Sequence, residues 1–245
     1  MSGLRIEDLS LSLDGVPVLD RLSLSVKPGE FVSILGPSGC GKSTLFRLLI
    51  GEIAPDRGLI EHPDAKAGAF AFMPQRDALL PWRRIIDNVT LGLEIEGLPH
   101  REARARAAPM MAEFGLAGFE RHLPAQMSGG MRQRAALLRT VIQGRPVQLL
   151  DEPFGALDAL TRSRIQLWFE QRWQVAGWTT LLVTHDVREA VALSDRIYVL
   201  SPRPARVIAE FAVTAPRPRL GRPLPEAAQA IEQQILDTIF ATSGD

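Results

Sequence analysis

The chain has 245 residues, of which 46% are hydrophobic, and its 28 basic and 28 acidic side chains cancel. This length can bury a large apolar core, so a disordered or fibrous protein is excluded, and the net charge gives no reason to expect nucleic acid or an anionic membrane as a partner. One cysteine excludes an internal disulfide, the first residues lack the apolar segment of a signal peptide, and no run of about eighteen apolar residues occurs. We therefore expect a cytosolic chain that does not itself cross a membrane.

The N-terminal segment predicts a β-hairpin. Apolar and polar residues alternate over 9–13 and again over 22–26, with the turn dipeptide Asp14-Gly15 between them. Short apolar runs typical of buried strands follow at 31–35, 70–73, 147–150, 181–184 and 197–200, and helical patterns separate most of them. This order predicts an α/β fold with a parallel central sheet.

A long helical segment interrupts the alternation. From about residue 79 to residue 141 the strand signal is absent and Ala, Arg and Glu recur at helical spacing, which predicts an inserted α-helical subdomain. Arg101, Arg104 and Arg106 allow two interpretations, an RNA-binding patch or a solvated helix face, and Glu102 among them favours the solvated face. A tail rich in Pro and Arg starts at residue 201, and 227–236 predict one amphipathic helix within it.

The predicted strand at 31–35 leads directly into a phosphate-binding motif, G-x-x-x-x-G-K-S, with the sequence Gly36-Pro37-Ser38-Gly39-Cys40-Gly41-Lys42-Ser43. Glycines allow backbone N–H groups to turn onto phosphate oxygens, and the helix that follows, through Thr44 as far as Gly51, adds the positive end of its dipole. We expect Lys42 to reach the β and γ phosphates and the Ser43 hydroxyl to bind Mg²⁺. A plain glycine-rich turn is the alternative, and the flanking strand and helix favour the phosphate loop.

Two further strands end in residues suited to phosphate chemistry. Asp151 and Glu152 follow the strand at 147–150, and alternation along a strand points them to different sides. Asp151 could hold Mg²⁺ from beneath the phosphates while Glu152 orients the attacking water, the alternative being two acids that cap the next helix. His185 follows the strand at 181–184, at the sheet edge where open α/β sheets bind ligands, so it could bind the γ-phosphate; a structural or merely exposed histidine is the alternative.

A second helix start suited to an anion lies at Ser128-Gly129-Gly130. The chain has one complete lysine-bearing loop, so we expect this second start to complete the nucleotide site of another copy of the chain. Read alone, the tripeptide would be an ordinary helix cap.

Taken together, these motifs resemble the ATP-binding cassette ATPase family from about residue 4 to residue 210. The loop at 36–44 is similar to Walker A, Gln75 to the Q-loop glutamine, and 128–133 to the family signature, while Asp151 and Glu152 are similar to Walker B, 155–158 to the D-loop and His185 to the switch histidine. The resemblance implies a P-loop NTPase core of RecA type, an N-terminal antiparallel β subdomain and the inserted helical subdomain. It also implies a head-to-tail dimer with two ATP molecules between Walker A of one copy and the signature of the other.

The same resemblance implies ATP and Mg²⁺ as cofactors and assigns the candidate site residues. The catalytic candidates are Lys42, Glu152 and His185. The metal candidates are Ser43, Gln75 and Asp151. The nucleotide-binding candidates are Gly36, Pro37, Ser38, Gly39, Cys40, Gly41, Lys42, Ser43, Thr44, Gln75, Ser128, Gly129, Gly130 and Asp158.

The segment after Gln75 contains Leu79-Leu80-Pro81-Trp82, which resembles the importer ATPases for nitrate, sulfonate and taurine-type substrates. That likeness implies a position on the cytoplasmic face of the inner membrane, an integral membrane permease as partner, and a separate periplasmic or extracellular substrate-binding protein. It implies no nucleic-acid partner. Trp82 is then either an exposed anchor for the permease or a core residue, and the sequence leaves both open.

Two other classes are possible from the phosphate loop alone. Soluble members of the family act in DNA repair or translation, but they generally carry a long coiled coil or two cassettes, and this chain has neither. A P-loop GTPase or kinase would leave Ser128-Gly129-Gly130 and His185 unexplained, and the base-reading Asn-Lys-x-Asp motif is absent.

Three positions depart from the family pattern. Leu13 stands where many relatives carry an aromatic residue that stacks on adenine, which predicts weaker base discrimination. Gln148 is polar in a strand expected to be buried and needs hydrogen-bond partners. Cys40 lies beside a helix N-terminus, a setting that favours thiol reactivity, so we expect alkylation to block hydrolysis and bound ATP to protect.

Overall fold

The computed structural model describes residues 3–62 and 70–242. The strands are β1 (Leu4–Leu13), β2 (Val16–Val26), β3 (Phe31–Leu35), β4 (Arg57–Glu61), β5 (Phe70–Met73), β6 (Val147–Asp151), β7 (Thr179–Val183), β8 (Arg196–Leu200) and β9 (Val207–Ala212). The helices are α1 (Lys42–Leu49), α2 (Ile85–Val89), α3 (Leu91–Ile95), α4 (His100–Glu113), α5 (Gly129–Val141), α6 (Ala159–Ala176), α7 (Val187–Leu193) and α8 (Glu226–Thr242), with a 3₁₀ turn at Pro124–Gln126.

The predicted N-terminal hairpin is present and belongs to a small antiparallel sheet of order β2-β1-β4. Asp14 and Gly15 both have positive φ (49° and 78°), the conformation of a tight two-residue hairpin turn, and Leu13 pairs with Val16. The sequence did not predict β4, because most of its residues are exposed and give no apolar alternation. This strand is stabilised by its hydrogen-bonded pairing with β1 and not by an apolar pattern of its own.

The second sheet has the order β5-β6-β7-β3-β8-β9, and its first five strands are parallel. Every residue of β3, β6 and β7 is buried, which explains why the sequence shows them as short, mainly apolar runs. The antiparallel edge strand β9 was missed, because it lies in the segment interpreted as a tail and only alternate residues are partly buried. The carboxyl ends of the five parallel strands meet at one edge of this sheet.

Between β5 and β6 the described chain contains α2 to α5 and no strand, as the sequence indicates. The side chains of these helices share a core with β3, β6 and α6 that includes Phe31, Leu150 and Phe169. Arg104 on α4 pairs with Asp87 at 2.6 Å, and Arg101 and Arg106 are exposed, so this helix presents a solvated, partly ion-paired face.

The C-terminal helix α8 is longer than the predicted 227–236. It buries Ala228 and Ile235 in an apolar cluster that includes Val191 of α7.

Gln148, the polar residue of β6, is fully buried. Its Nε2 donates to the Arg145 carbonyl at 2.8 Å, whereas its Oε1 has no hydrogen-bond partner in the described part of the chain. The hydrogen-bond partner predicted to be needed at this position is therefore present for the amide nitrogen and not for the amide oxygen.

Candidate functional site

The phosphate loop is folded by glycine conformations that other residues adopt poorly. Gly39 and Gly41 have φ of 77° and 126°, and a Cβ on Gly41 would lie 3.0 Å from Leu19 Cδ2. Lys42 begins α1 and is 7% exposed, and its Nζ donates to the carbonyls of Gly36 (2.7 Å) and Pro37 (2.9 Å). The loop backbone therefore wraps around the Lys42 side chain, and α1 begins inside the loop.

A cleft of about 150 Å³ lies over this loop at the carboxyl edge of the sheet. It brings together most of the residues that the sequence predicted on separate segments. Its lining residues are Ser38, Gly39, Gly41, Lys42, Ser43, Thr44, Gln75, Asp151, Glu152 and Arg203. The parallel strand order explains the meeting, because β3, β5 and β6 each end at this edge.

The residues predicted to hold a cation offer hard oxygen donors. Asp151 is 2% exposed and accepts a hydrogen bond from the Ser43 hydroxyl. Burial raises the pKa of Asp151, and the neighbouring Glu152 charge adds to this, while the Ser43 hydrogen bond and the Lys42 charge act in the opposite direction. A carboxylate and a hydroxyl are ligands that Mg²⁺ prefers, and a bound cation would stabilise the ionised Asp151, so the donor set fits.

The Glu152 carboxylate contacts two other predicted site residues, Gln75 and His185. Its Oε2 accepts from Gln75 Nε2 at 3.3 Å, and its Oε1 lies 3.4 Å from Nδ1 of His185, whose side chain is 65% exposed. Glu152 has φ of 49°, the left-handed region that costs a non-glycine residue about 1 kcal/mol or more. Asp151 is the last residue of β6 and Glu152 lies just beyond it, and both line the same cleft.

The predicted signature lies outside the cleft. Ser128 caps α5, with its Oγ accepting from the Met131 N–H at 3.3 Å, and both Ser128 and Gly129 are exposed. Asp158 caps α6 by accepting from the Thr161 N–H at 3.0 Å, and this hydrogen bond lowers the pKa of Asp158. Within the described residues of one chain, neither segment lines the phosphate cleft.

Comparison with known proteins identifies the family. A protein-family profile described as "ABC transporter" matches residues 19–155. The chain belongs to the ABC transporter family.

Relatives of this ABC protein extend the match over most of its length. The formylaminopyrimidine import ATP-binding protein ThiZ of Halalkalibacterium halodurans is 45% identical over 219 residues, which cover 89% of this chain and 85% of ThiZ. The aliphatic sulfonates import ATP-binding protein SsuB of Ralstonia nicotianae is 44% identical over 232 residues, 93% of this chain and 78% of SsuB. The solved dimeric post-hydrolysis state of the ATP-binding cassette MJ0796 bound to ADP and Pi has a TM-score of 0.77 at 28% identity, covering 86% of this chain and 98% of MJ0796.

These similarities confirm the predicted α/β ABC ATPase fold, with ATP and Mg²⁺ as cofactors. They favour a transport ATPase over a DNA-repair or translation factor, and they exclude a P-loop GTPase or kinase. In the described ranges, no helix has the length and apolar character needed to traverse a bilayer.

Sequence reasoning placed Gln133 in the signature segment without giving it a role, and it missed Arg203. Gln133 on α5 is buried, and its Nε2 donates to the carbonyls of Glu152 (3.1 Å) and Pro153 (3.3 Å), which ties the signature helix to the end of β6. A polar residue on the buried face of a helix is the signal that could have revealed it. Arg203 lines the cleft from the loop after β8, and its place in a Pro- and Arg-rich segment gave no such signal.

The structure revises the expectation for Cys40. Its side chain is 1% exposed and packs in the core beneath the loop, where a Cβ on Gly36 would lie 3.2 Å from Sγ. Its backbone N–H donates to the Pro37 carbonyl at 3.3 Å. Rapid alkylation is therefore not expected, because a reagent reaches this thiol only when the loop opens.

Leu13 offers a test of base recognition in this ABC site. It is 37% exposed at the end of β1, so a ring placed there need not disturb the core. We expect Leu13→Tyr to raise the preference for ATP over GTP about fivefold, the effect of one added stacking contact. Competition of the two nucleotides for a fluorescent analogue measures this. Leu59→Tyr, at a 49%-exposed position on β4 of the same sheet, is the control, and equal preference in the parent and Leu13→Tyr would contradict the prediction.

Proposed function

We propose that the chain is the ATP-hydrolysing subunit of an ABC importer, which energises the uptake of a small sulfonate-, taurine- or nitrate-like solute through a membrane permease. The observation that carries the proposal is the meeting of Gln75 and His185 on the Glu152 carboxylate beside the phosphate loop. The import names of ThiZ and SsuB support the direction of transport. The subunit then works at the cytoplasmic face of the inner membrane as a peripheral protein.

In this proposal the cleft performs catalysis by positioning and by neutralising charge. Backbone N–H groups of 36–44 and the Lys42 ammonium bind the β and γ phosphates. Ser43, Asp151 and Gln75 would hold Mg²⁺, which neutralises phosphate charge when bound. Glu152 accepts a proton from the attacking water or orients it, and His185 donates a hydrogen bond to the γ-phosphate.

The second half of each nucleotide site comes from another copy of the chain. Ser128 and Gly129 are exposed and Gly130 is partly buried at the start of α5, so this helix start is open to a partner's nucleotide. Asp158, at the start of α6, belongs to the same surface in this proposal. ATP binding closes the head-to-tail dimer, and hydrolysis reopens it.

The contacts between the segment after Gln75 and α5 support mechanical coupling between the two halves. Arg132 Nε donates to Asp77 Oδ2 at 2.9 Å, and the Arg139 guanidinium donates to the carbonyls of Asp77 (2.8 Å) and Ala78 (2.7 Å). Burial lowers the pKa of Arg139, and the Asp77 charge acts in the opposite direction. A shift of Gln75 toward a nucleotide therefore moves α5 and, with it, Ser128.

Trp82 is the proposed permease anchor. It is 74% exposed, which excludes the core role left open by the sequence. The turn that carries it is fixed from beneath by the fully buried Asn88, which accepts from the Leu80 N–H (2.7 Å) and donates to the carbonyls of Leu80 (3.1 Å) and Arg83 (3.0 Å). A large aromatic side chain on a turn whose backbone is already ordered costs less entropy on binding than one on a mobile loop, which suits an interface hot spot.

We expect Trp82→Ala to weaken binding to the permease by about 2 kcal/mol or more, roughly thirtyfold, while the ATPase activity of the isolated chain stays the same. Co-purification with the permease and ATPase assays measure the two effects. Phe240→Ala removes a similarly exposed aromatic (68%) from α8 and is the control. Permease binding that survives Trp82→Ala would remove the anchor role, and a chain that purifies with no integral membrane protein at all would contradict the importer function.

The solute is chosen elsewhere in the complex. ThiZ and SsuB are 45% and 44% identical to this chain, yet their names specify a formylaminopyrimidine and aliphatic sulfonates. Near-equal similarity to subunits for two chemically different solutes supports selection by a separate substrate-binding protein. The sulfonate, taurine or nitrate class rests on Leu79-Leu80-Pro81-Trp82.

A further inference from the structure

Arg203 occupies a position beside the phosphate loop that the reaction described above does not use. It lies in the connection between β8 and β9, in the run Ser201-Pro202-Arg203-Pro204-Ala205-Arg206. It lines the same cleft as Lys42, Ser43 and Glu152. A cation at the mouth of a phosphate site is expected to contribute to anion binding unless it is already paired.

The loop that carries Arg203 is held firmly on both sides. Ser201 N donates to the Arg206 carbonyl at 2.9 Å and closes the loop, and its Oγ donates to the Pro204 carbonyl at 3.1 Å. Ala205 N donates to the Val18 carbonyl at 2.8 Å, and Asp20 N donates back to the Ala205 carbonyl at 3.1 Å. The loop is therefore fastened to β2, whose Val18 and Leu19 side chains pack against Gly41 of the phosphate loop.

The two arginines of this loop differ in their contacts. Arg206 forms an ion pair with Asp20 and so fastens the loop. Arg203 is exposed and, among the residues that the structure describes, makes neither an ion pair nor a hydrogen bond. Its charge therefore has no structural task that would explain its place over the cleft.

Charge in the cleft favours a contact with phosphate. Apart from Arg203, the described lining contains one cation, Lys42, and two carboxylates, Asp151 and Glu152. The Lys42 ammonium is already shared with two loop carbonyls. A triphosphate keeps negative charge even beside a divalent cation, so it gains from a second protein cation with a planar fork of donors.

We propose that Arg203 is a phosphate-binding residue of the nucleotide site, whose guanidinium donates hydrogen bonds to phosphate oxygens of the nucleotide held by the same copy of the chain. This rests on the proposed function, in which the cleft binds ATP. The contact is independent of the base, because the cleft that Arg203 lines is formed by the phosphate loop and the two acids.

The test is equilibrium binding of MgATP and of MgGTP to the whole chain and to the variants Arg203→Ala and Arg203→Lys. Arg203→Ala should weaken both nucleotides by about tenfold and by the same factor, and Arg203→Lys by about threefold, because lysine keeps the charge but loses the fork. The KM for MgATP should rise in parallel while kcat stays within about twofold. Arg101→Ala, which removes another exposed arginine from α4, controls for the loss of one charge.

Two results would overturn the inference: an MgATP affinity of Arg203→Ala within about twofold of the parent, or a loss that affects MgATP and spares MgGTP, which would indicate a contact with the base. Thermal unfolding of Arg203→Ala should match the parent, since the side chain is exposed and makes no ion pair or hydrogen bond in the described part of the chain. Lys42→Ala separates the two proposals. If it weakens MgATP while Arg203→Ala does not, the function stands and the inference fails; if the parent and Lys42→Ala bind MgATP equally, the proposed function fails and this inference fails with it.

Discussion

Glu152→Gln is expected to lower steady-state ATP hydrolysis by about 100-fold or more while ATP binding persists. The carboxylate contacts both Gln75 (3.3 Å) and His185 (3.4 Å), and in the proposed function it is the group that aligns the attacking water. The amide keeps the shape and can still interact with both neighbours, but it cannot accept the proton. Loss of the negative charge also removes repulsion toward the γ-phosphate, so ATP should remain bound between two copies.

Two measurements check this result together. Nucleotide binding at equilibrium should be unchanged or tighter, and light scattering with MgATP should show a dimer that the parent forms only transiently. Glu210→Gln is the matched control, since Glu210 is an exposed glutamate on β9, paired with Arg196 at 3.1 Å and remote from the cleft. Turnover near that of the parent in Glu152→Gln would contradict the role given to this carboxylate.

The sequence predicted the buried parts of the fold because burial leaves a clear pattern. In β3, β6 and β7 every residue is buried, so each contains a short, mainly apolar run despite single polar residues such as Ser33 and Gln148. The edge strands β4 and β9 were missed for the opposite reason: they are partly exposed, and hydrogen bonds to distant strands form them. The local sequence pattern indicates which residues are buried, but it gives little indication of strands that form by pairing at the edge of a sheet.

In the candidate site too, residues in local motifs were predicted and residues placed by distant contacts were not. Gln75, Asp151 and His185 were found because each lies in a recognisable motif near a strand end. Arg203 was missed because its place depends on backbone bonds from Ala205 to β2, far away in sequence. The burial of Cys40 was not predicted, because a motif specifies which residues surround the phosphates but does not tell which side chains of the loop turn inward to the core.

Equimolar mixing of Lys42→Ala and Ser128→Arg copies is expected to restore hydrolysis that neither variant shows alone. Lys42→Ala removes the ammonium from the phosphate loop but leaves its signature intact. Ser128→Arg places a bulky side chain at an exposed position on α5, at a cost of about 1 kcal/mol for the lost helix cap, and leaves its own phosphate loop intact. A mixed dimer then contains one complete site, formed by the loop of the Ser128→Arg copy and the signature of the Lys42→Ala copy.

Random pairing makes half of the dimers mixed, each with one working site, so the recovery should approach about a quarter of the parental rate if the sites act independently. A mixture of Lys42→Ala with Glu152→Gln copies is the matched control, because both changes damage the same half of the site and no mixed dimer has a complete one. Recovery in the first mixture and none in the second requires a nucleotide site shared between two chains. If the site lay within one chain, Ser128→Arg would keep a complete site and hydrolyse ATP alone, and mixing it with Lys42→Ala would add nothing to that rate. Ser128, Gly129 and Gly130 would then be no more than the start of α5.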